Sequence, residues 1–80
     1  MTGENFQAVA RVLLDRRPFQ IFTVELLRGG YLEIDHPEAL ELLDEVAVFV
    51  SPGGFRIWFD HLSVNRVIEA RAEEIEPDLP

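Results

Sequence analysis

Apolar residues near the start of the chain recur with the spacing of an amphipathic helix. Within residues 4–16, one stripe follows the i, i+3, i+4, i+7 rule and consists of Phe6, Val9, Ala10 and Leu13. Thr2 is a suitable cap for the start of this helix, and Pro18 stops its propagation. Val12 and Leu14 extend the apolar surface beyond the stripe. The pattern predicts a helix that packs on a sheet with one side and contacts something else with its flank.

The next two runs, residues 20–27 and 31–35, alternate apolar and polar side chains and predict a β-hairpin. A two-residue turn would place apolar side chains opposite acidic ones. A three-residue loop over residues 28–30 instead pairs apolar with apolar residues, namely Leu26 with Leu32 and Val24 with Ile34. We therefore expect the three-residue loop, with Gly30 in the left-handed conformation that such loops require.

A second pair of apolar runs, residues 46–50 and 55–60, flanks the segment Ser51-Pro52-Gly53-Gly54. Proline followed by glycine is typical of a type II turn, and we expect all four residues to form the loop. One face of this hairpin is then continuously apolar, with the pairs Val50–Phe55, Val48–Ile57 and Val46–Phe59. The other face carries four residues that we call the aromatic–arginine cluster: Ala47, Phe49, Arg56 and Trp58.

The segment between the hairpins contains Pro37, which suits the first turn of a helix, with Asp35 or His36 near the cap position. We expect a short helical turn continuing through residues 39–43, with an extended strand as the alternative.

Residues 63–70 predict a last strand, and residues 71–80 are acidic and predict a flexible tail. The chain is therefore expected to form one α+β domain over residues 1–70. Its helix is followed by a strongly bent five-stranded antiparallel sheet or a small β-barrel.

Composition narrows the possible partners of the 80-residue chain. Fifteen acidic residues oppose seven arginines, there is no lysine, and the net charge is -8. Such a surface disfavours nucleic acid and anionic membranes. The absence of cysteine excludes disulfide bonds and thiolate metal sites and fits a reducing cytoplasm. The first residues are polar and acidic, so we expect no signal peptide, and no apolar run reaches the ~20 residues of a membrane span.

Three motifs carry a resemblance to known proteins. Residues 17–22 begin with Arg-Pro-Phe, the following strand closes on Gly29-Gly30, and His36-Pro37-Glu38 comes next. Over residues 9–70 this pattern resembles a group of short bacterial proteins, common in GC-rich genomes and without an assigned function. The resemblance implies a central hairpin and a final strand, and it implies no catalytic residues.

The order of one helix followed by about five short strands is also similar to the Sm-like and SH3-like small barrels. In bacterial Sm-like proteins this order supports ring assembly and RNA binding. The acidic charge and the lack of an evident RNA-binding motif argue against extending the likeness to RNA.

Two Asp-His dipeptides, Asp35-His36 and Asp60-His61, lie at the ends of the second and fourth predicted strands. In a meander these ends fall on the same side of the sheet about 10 Å apart. Two imidazoles and two carboxylates suit Zn²⁺ or another divalent ion. The alternative is structural, because Asp and His side chains commonly accept or donate hydrogen bonds within turns.

The aromatic–arginine cluster is more apolar than a solvated sheet face requires, and aromatic residues with arginine are enriched at protein interfaces. Either the helix covers this face, or the face meets another subunit or partner. We therefore expect a non-catalytic protein-interaction or oligomerisation module without a cofactor. The alternative is a small-ligand or divalent-metal-binding regulator that uses the two Asp-His pairs.

Overall fold

The computed structural model describes residues 1–75, which fold into one α-helix, six β-strands and three short 3₁₀ helices. The elements are α1 (Gly3–Asp15), β1 (Phe22–Leu26), β2 (Tyr31–Ile34), η1 (Pro37–Ala39), β3 (Leu40–Leu42), β4 (Val46–Val50), β5 (Arg56–Asp60), η2 (His61–Ser63), β6 (Val64–Ile68) and η3 (Ala72–Glu74). The strands form two antiparallel sheets, with the order β2-β1-β6 in sheet 1 and β3-β4-β5 in sheet 2.

The α+β class is confirmed, but the expectation of a single five-stranded sheet or a closed barrel is wrong. The described residues contain two separate three-stranded sheets that do not close into a barrel. The additional strand is β3, where the extended alternative to a helical turn is correct. Its Leu-Glu-Leu sequence alternates with period 2, and Leu40 pairs with Phe49 and is buried. A run of three residues is too short for this periodicity to identify a strand from sequence.

The helix lies within one residue of its predicted bounds at each end. The Thr2 hydroxyl accepts a hydrogen bond from the Asn5 amide at 3.1 Å and caps the first turn, as expected. At the other end, the Arg17 guanidinium donates to the Leu14 carbonyl at 3.1 Å, which satisfies an end carbonyl of the helix. Three stripe residues, Phe6, Ala10 and Leu13, are buried.

The first hairpin has the predicted faces but a different register. Val24 lies opposite Leu32, and Phe22 opposite Ile34, two residues away from the expected pairing. The loop is Leu27-Arg28-Gly29, closed by a 2.8 Å hydrogen bond from the Leu26 amide to the Gly30 carbonyl. Gly29, with φ of 92°, takes the left-handed conformation expected of Gly30. Because the shift is even, each apolar side chain keeps its predicted face.

The register of the second hairpin differs from the prediction by one residue. This odd shift moves side chains to the opposite face of the sheet, which the even shift in the first hairpin does not. The Ser51 amide donates to the Phe55 carbonyl at 2.8 Å, so the loop contains only Pro52, Gly53 and Gly54. Gly54 has φ of 85°, whereas Gly53 has no positive φ, which excludes the expected type II turn. Both hairpins therefore share a three-residue loop with a left-handed glycine at its third position.

The core lies between the two sheets and α1. The ring of Phe6 from α1 meets that of Phe59 from β5 edge-on, with centroids 5.9 Å apart. The strands contribute side chains from both sheets, among them Phe22, Val24, Ile34, Leu40, Ala47, Phe49 and Val64.

The opposite, outer face of sheet 1 is covered by the segment that follows β6. Thr23 is fully buried, and its hydroxyl donates to the Ala70 carbonyl at 2.7 Å. The Ala72 amide donates to the Glu33 carboxylate at 2.9 Å. The first part of the expected tail, residues 71–75, thus contributes η3 beside β2, and the rest, residues 76–80, lies outside the described residues.

Candidate protein-interaction surface

The first Asp-His dipeptide forms a local cap. His36 Nδ1 accepts a hydrogen bond from the Glu38 amide at 3.2 Å and so caps η1, with Pro37 in the first helical position as expected. The His36 Nε2 atom lies 3.8 Å from the Asp35 carboxylate. Both side chains are exposed.

The second dipeptide has the same structural role at η2. The Asp60 carboxylate accepts hydrogen bonds from the Ser63 amide at 3.1 Å and from its hydroxyl at 3.3 Å. His61 Nδ1 lies 3.0 Å from the Met1 carbonyl oxygen, which joins η2 to the residues that precede α1.

The two dipeptides are not brought together in the way that a metal site requires. Asp35-His36 follows β2 of sheet 1, whereas Asp60 is the last residue of β5 in sheet 2 and His61 begins η2, so the expected meander adjacency is wrong. Within residues 1–75, no three His, Cys, Asp or Glu side chains are grouped so that they could hold a metal ion.

The aromatic–arginine cluster is divided between the two faces of sheet 2. Ala47 and Phe49 are buried in the core, whereas Arg56 and Trp58 lie on the outer face. The cause is the one-residue register difference, which places Trp58 opposite Val48 rather than beside Ala47. The face of Ala47 and Phe49 therefore lies in the core, which also contains Phe6 of α1, and the face of Trp58 lies outside it.

A different group of large apolar side chains is exposed along and beside β5. We call this group the β5 surface, and its members with their exposed fractions are Leu27 (62%), Phe55 (74%), Ile57 (40%), Trp58 (60%) and Leu62 (66%). They come from the β1–β2 loop, from β5 with the residue before it, and from η2. Within β5 only Phe59 is buried.

A groove of about 590 Å³ runs between β5 and the β1–β2 loop. Leu27 and Leu62 contribute to one wall, and Ile57 and Trp58 to the other. The Leu27 amide donates to the Ser63 carbonyl at 2.9 Å, which fixes the loop to η2 and holds the first wall in place. The groove thus lies where sheet 2 ends and no strand of sheet 1 continues it.

The backbone of β5 is paired on one side only. Because Ser51 and Phe55 form a hydrogen-bonded pair, Ile57 and Phe59 also direct their backbone groups toward β4. The alternate residues, Arg56, Trp58 and Asp60, direct theirs toward the free edge. This edge is therefore a template on which another strand can pair.

The polar groups near the edge are of both signs. Arg56 Nη2 lies 3.5 Å from the Glu41 carboxylate, across β4 from it, and both side chains are more than half exposed. Beneath them Val48 is fully buried, with Glu41 and Trp58 as its neighbours on the adjacent strands. Arg28 and Asp60 are the charged residues in the lining of the groove.

Glu25 of β1 is the one buried acidic residue among residues 1–75, and it belongs to the structure of sheet 1. Arg66 donates to both of its carboxylate oxygens, at 3.0 and 3.2 Å, and Asn65 donates at 2.6 Å. These hydrogen bonds, that of Arg66 above all, hold the pKa of Glu25 below its ordinary value. Because fixed donors hold the carboxylate in its charged form, Glu25 and Arg66 form an ion pair with a structural role.

Comparison with protein-family models, with curated proteins and with solved structures finds no match to this chain. No helix in residues 1–75 has the length and apolar character needed to cross a membrane. Sequence reasoning identified Trp58 of the β5 surface and the neighbouring Arg56 but missed the other four members of the β5 surface. Leu27 and Leu62 gave a usable signal, since each is a large apolar residue beside polar turn residues.

Proposed function

We propose that this protein is a non-catalytic oligomerisation module of the bacterial cytoplasm, which associates with further copies of itself through the β5 surface. The observation that carries the proposal is an edge strand with an unpaired backbone and large apolar side chains exposed on both of its faces. Exposed apolar groups that lie together, rimmed by polar residues, mark interaction sites in soluble proteins. Aromatic and arginine side chains are common at such sites.

A second copy is a better occupant than a strongly charged partner because the β5 surface is close to neutral. Its neighbouring charges are Arg28, Arg56 and Asp60, so two such surfaces can meet without local repulsion. The net charge of -8 resides largely elsewhere on the chain. We therefore expect moderate salt to strengthen association by screening the overall repulsion.

Light scattering coupled to size-exclusion chromatography tests this proposal. The wild type is expected to elute with a mass that is a multiple of 9.2 kDa. Trp58→Asp places a charge in the β5 surface and is expected to give the monomer mass. Leu62→Asp, in η2, is a second variant in case the first fails to fold, which circular dichroism would show.

Val12→Asp is the matched control. Val12 is 65% exposed on α1, outside the β5 surface, and its variant is expected to keep the wild-type mass. A wild type that stays monomeric at high micromolar concentration would overturn the proposal. A zinc titration that released heat under these conditions would favour the metal-binding regulator instead.

A further inference from the structure

We infer that two copies join through β5 as antiparallel neighbours, with Trp58 of one copy directly opposite Trp58 of the second. The inference rests on the proposed function and specifies its geometry. Sheet 2 of one copy and sheet 2 of the other would become one six-stranded sheet, with the two β5 strands at its centre and a two-fold axis at Trp58.

The backbone restricts the possible registers. In an antiparallel pair, residues that direct their backbone groups at each other must lie opposite one another. The free edge presents Arg56, Trp58 and Asp60. The allowed registers are therefore those in which a residue of this set in one copy lies opposite a residue of this set in the other copy. A register centred on Trp58 engages all three from each copy and forms about six hydrogen bonds.

The charges select the same register. With Trp58 at the axis, Arg56 of each copy faces Asp60 of the other, and the two opposite-charge pairs lie on one face of the sheet. Centring on Ile57 would place Arg56 opposite Trp58, and centring on Phe59 would place Trp58 opposite Asp60. Neither alternative pairs the charges, and each uses fewer of the outward backbone groups.

The apolar side chains are consistent with this pairing. On the inner face, Ile57 of one copy lies opposite Phe59 of the other, an aliphatic–aromatic pair that favours strand association. The incoming strand enters the groove beside Leu27 and Leu62 and covers these exposed side chains. On the outer face the two Trp58 side chains, each 60% exposed, come to lie beside each other, and an aromatic pair of this kind favours strand association.

The other sheet edges are less suited to pairing. In sheet 1, β2 lies beside η3, and β6 packs beside α1. In sheet 2, β3 has only three residues. Among the described strands, β5 combines length, exposure and an apolar groove.

A charge-exchange experiment tests the register. In a homodimer the contact between positions 56 and 60 occurs twice. Arg56→Asp makes both contacts a pair of negative charges, and Asp60→Arg makes both contacts a pair of positive charges. Each variant alone is expected to associate roughly ten- to a hundredfold more weakly than the wild type. An equimolar mixture is expected to recover a dimer that contains one chain of each variant, because both contacts are then between opposite charges. Native mass spectrometry identifies this heterodimer.

The outcomes distinguish the register from the proposed function. A monomeric wild type defeats both. If the wild type associates but the mixture of folded variants does not recover a dimer, the β5 register is wrong while self-association stands. Because Asp60 also caps η2, the fold of Asp60→Arg is checked by thermal melting before mixing.

Cysteine cross-linking provides a second measurement that does not depend on these charges. The chain has no cysteine of its own, so a single introduced thiol reports one position. In the inferred register the two Cα atoms at position 58 lie about 5.5 Å apart, within disulfide range. At position 56 they lie about 14 Å apart. Trp58→Cys is therefore expected to form a covalent dimer under mild oxidation and Arg56→Cys not to, and equal yields would contradict the register.

Discussion

Sheet 1 and sheet 2 contain the same number of strands but differ in what covers their outer faces. The outer face of sheet 1 carries Thr23 and Glu25, both buried, and its polar groups are satisfied by Ala70, Arg66 and neighbouring residues. The outer face of sheet 2 carries Trp58 with more than half of its side chain exposed, beside an unpaired strand edge. The chain completes one sheet by itself and leaves the other open.

Because of this difference, the two sheets are expected to contribute to different free energies, that of unfolding and that of association. A sheet that is covered on both faces contributes mainly to the folding of the single chain, because its contacts exist in the monomer. An open apolar face with a free edge gains most of its contacts only when a second strand arrives. Changes in sheet 1 should therefore act on the free energy of unfolding, and changes along β5 should act on association.

The largest effect is expected from Ile34→Ala in β2. Ile34 is fully buried, and removal of such a side chain costs about 2–5 kcal/mol. The net stability of a domain of this size is roughly 3–5 kcal/mol, so the variant should be close to unfolded. Urea unfolding measures the change, and Ile34→Val, at about 0.5–1.5 kcal/mol, is the milder companion.

The matched change in sheet 2 is Ile57→Ala in β5, since Ile57 is the same residue type as Ile34 and is 40% exposed. It should cost about 1 kcal/mol at low protein concentration, because the side chain that it removes is only partly buried. Equal losses for Ile34→Ala and Ile57→Ala would contradict the contrast between sheet 1 and β5.

An intermediate effect is expected at the two hairpin loops. Gly29→Ala and Gly54→Ala each force a side chain into the left-handed region and should destabilise the chain by about 1–2 kcal/mol. Gly30→Ala and Gly53→Ala serve as controls, because neither residue has a positive φ and an added Cβ meets only ordinary contacts at 3.5 Å. Thermal unfolding compares the four variants, and greater loss at Gly30 than at Gly29 would contradict the observed register.

The smallest effect is a pH dependence from Glu25. Because its folded-state pKa lies below the ordinary value near 4.3, ionised Glu25 stabilises the fold above that pH. The contribution is lost as the pH falls through the folded-state pKa. Urea unfolding of the wild type and Glu25→Gln over a pH series should show a stability difference that shrinks below about pH 4.

Glu41→Gln provides the comparison in sheet 2. The exposed Glu41–Arg56 pair should contribute less than about 1 kcal/mol at any pH. A difference between wild type and Glu25→Gln that stayed constant down to low pH would contradict the role of the Arg66 hydrogen bonds.

Residue patterns within a few positions of sequence predicted more of this fold than the expected pairing between strands did. The helix, its Thr2 cap and the role of Pro37 follow from residue chemistry within a few positions and are confirmed. The registers were wrong because two adjacent glycines in each loop allow the left-handed position to be either one. A shift of two residues preserved the faces of the first hairpin, whereas a shift of one divided the aromatic–arginine cluster.

The candidate surface was predictable only in part for the same reason. Trp58 and Arg56 stand out by residue type, but their separation from Ala47 and Phe49 depends on long-range pairing. The exposure of Leu27 and Leu62 has a local signal in the polar turn residues beside them, but their meeting with β5 in one groove depends on how sheet 1 and sheet 2 meet, which no local pattern encodes.

The position of β5 at the end of its sheet also determines how large an assembly can grow. An isologous contact uses the same edge of both copies, so the joining of two chains leaves no equivalent edge for a third. The free edge of β5, on which further chains could otherwise pair, would then be covered by β5 of the second copy. In the inferred dimer, growth would stop at two chains, and the exposed apolar edge would cease to be an aggregation hazard.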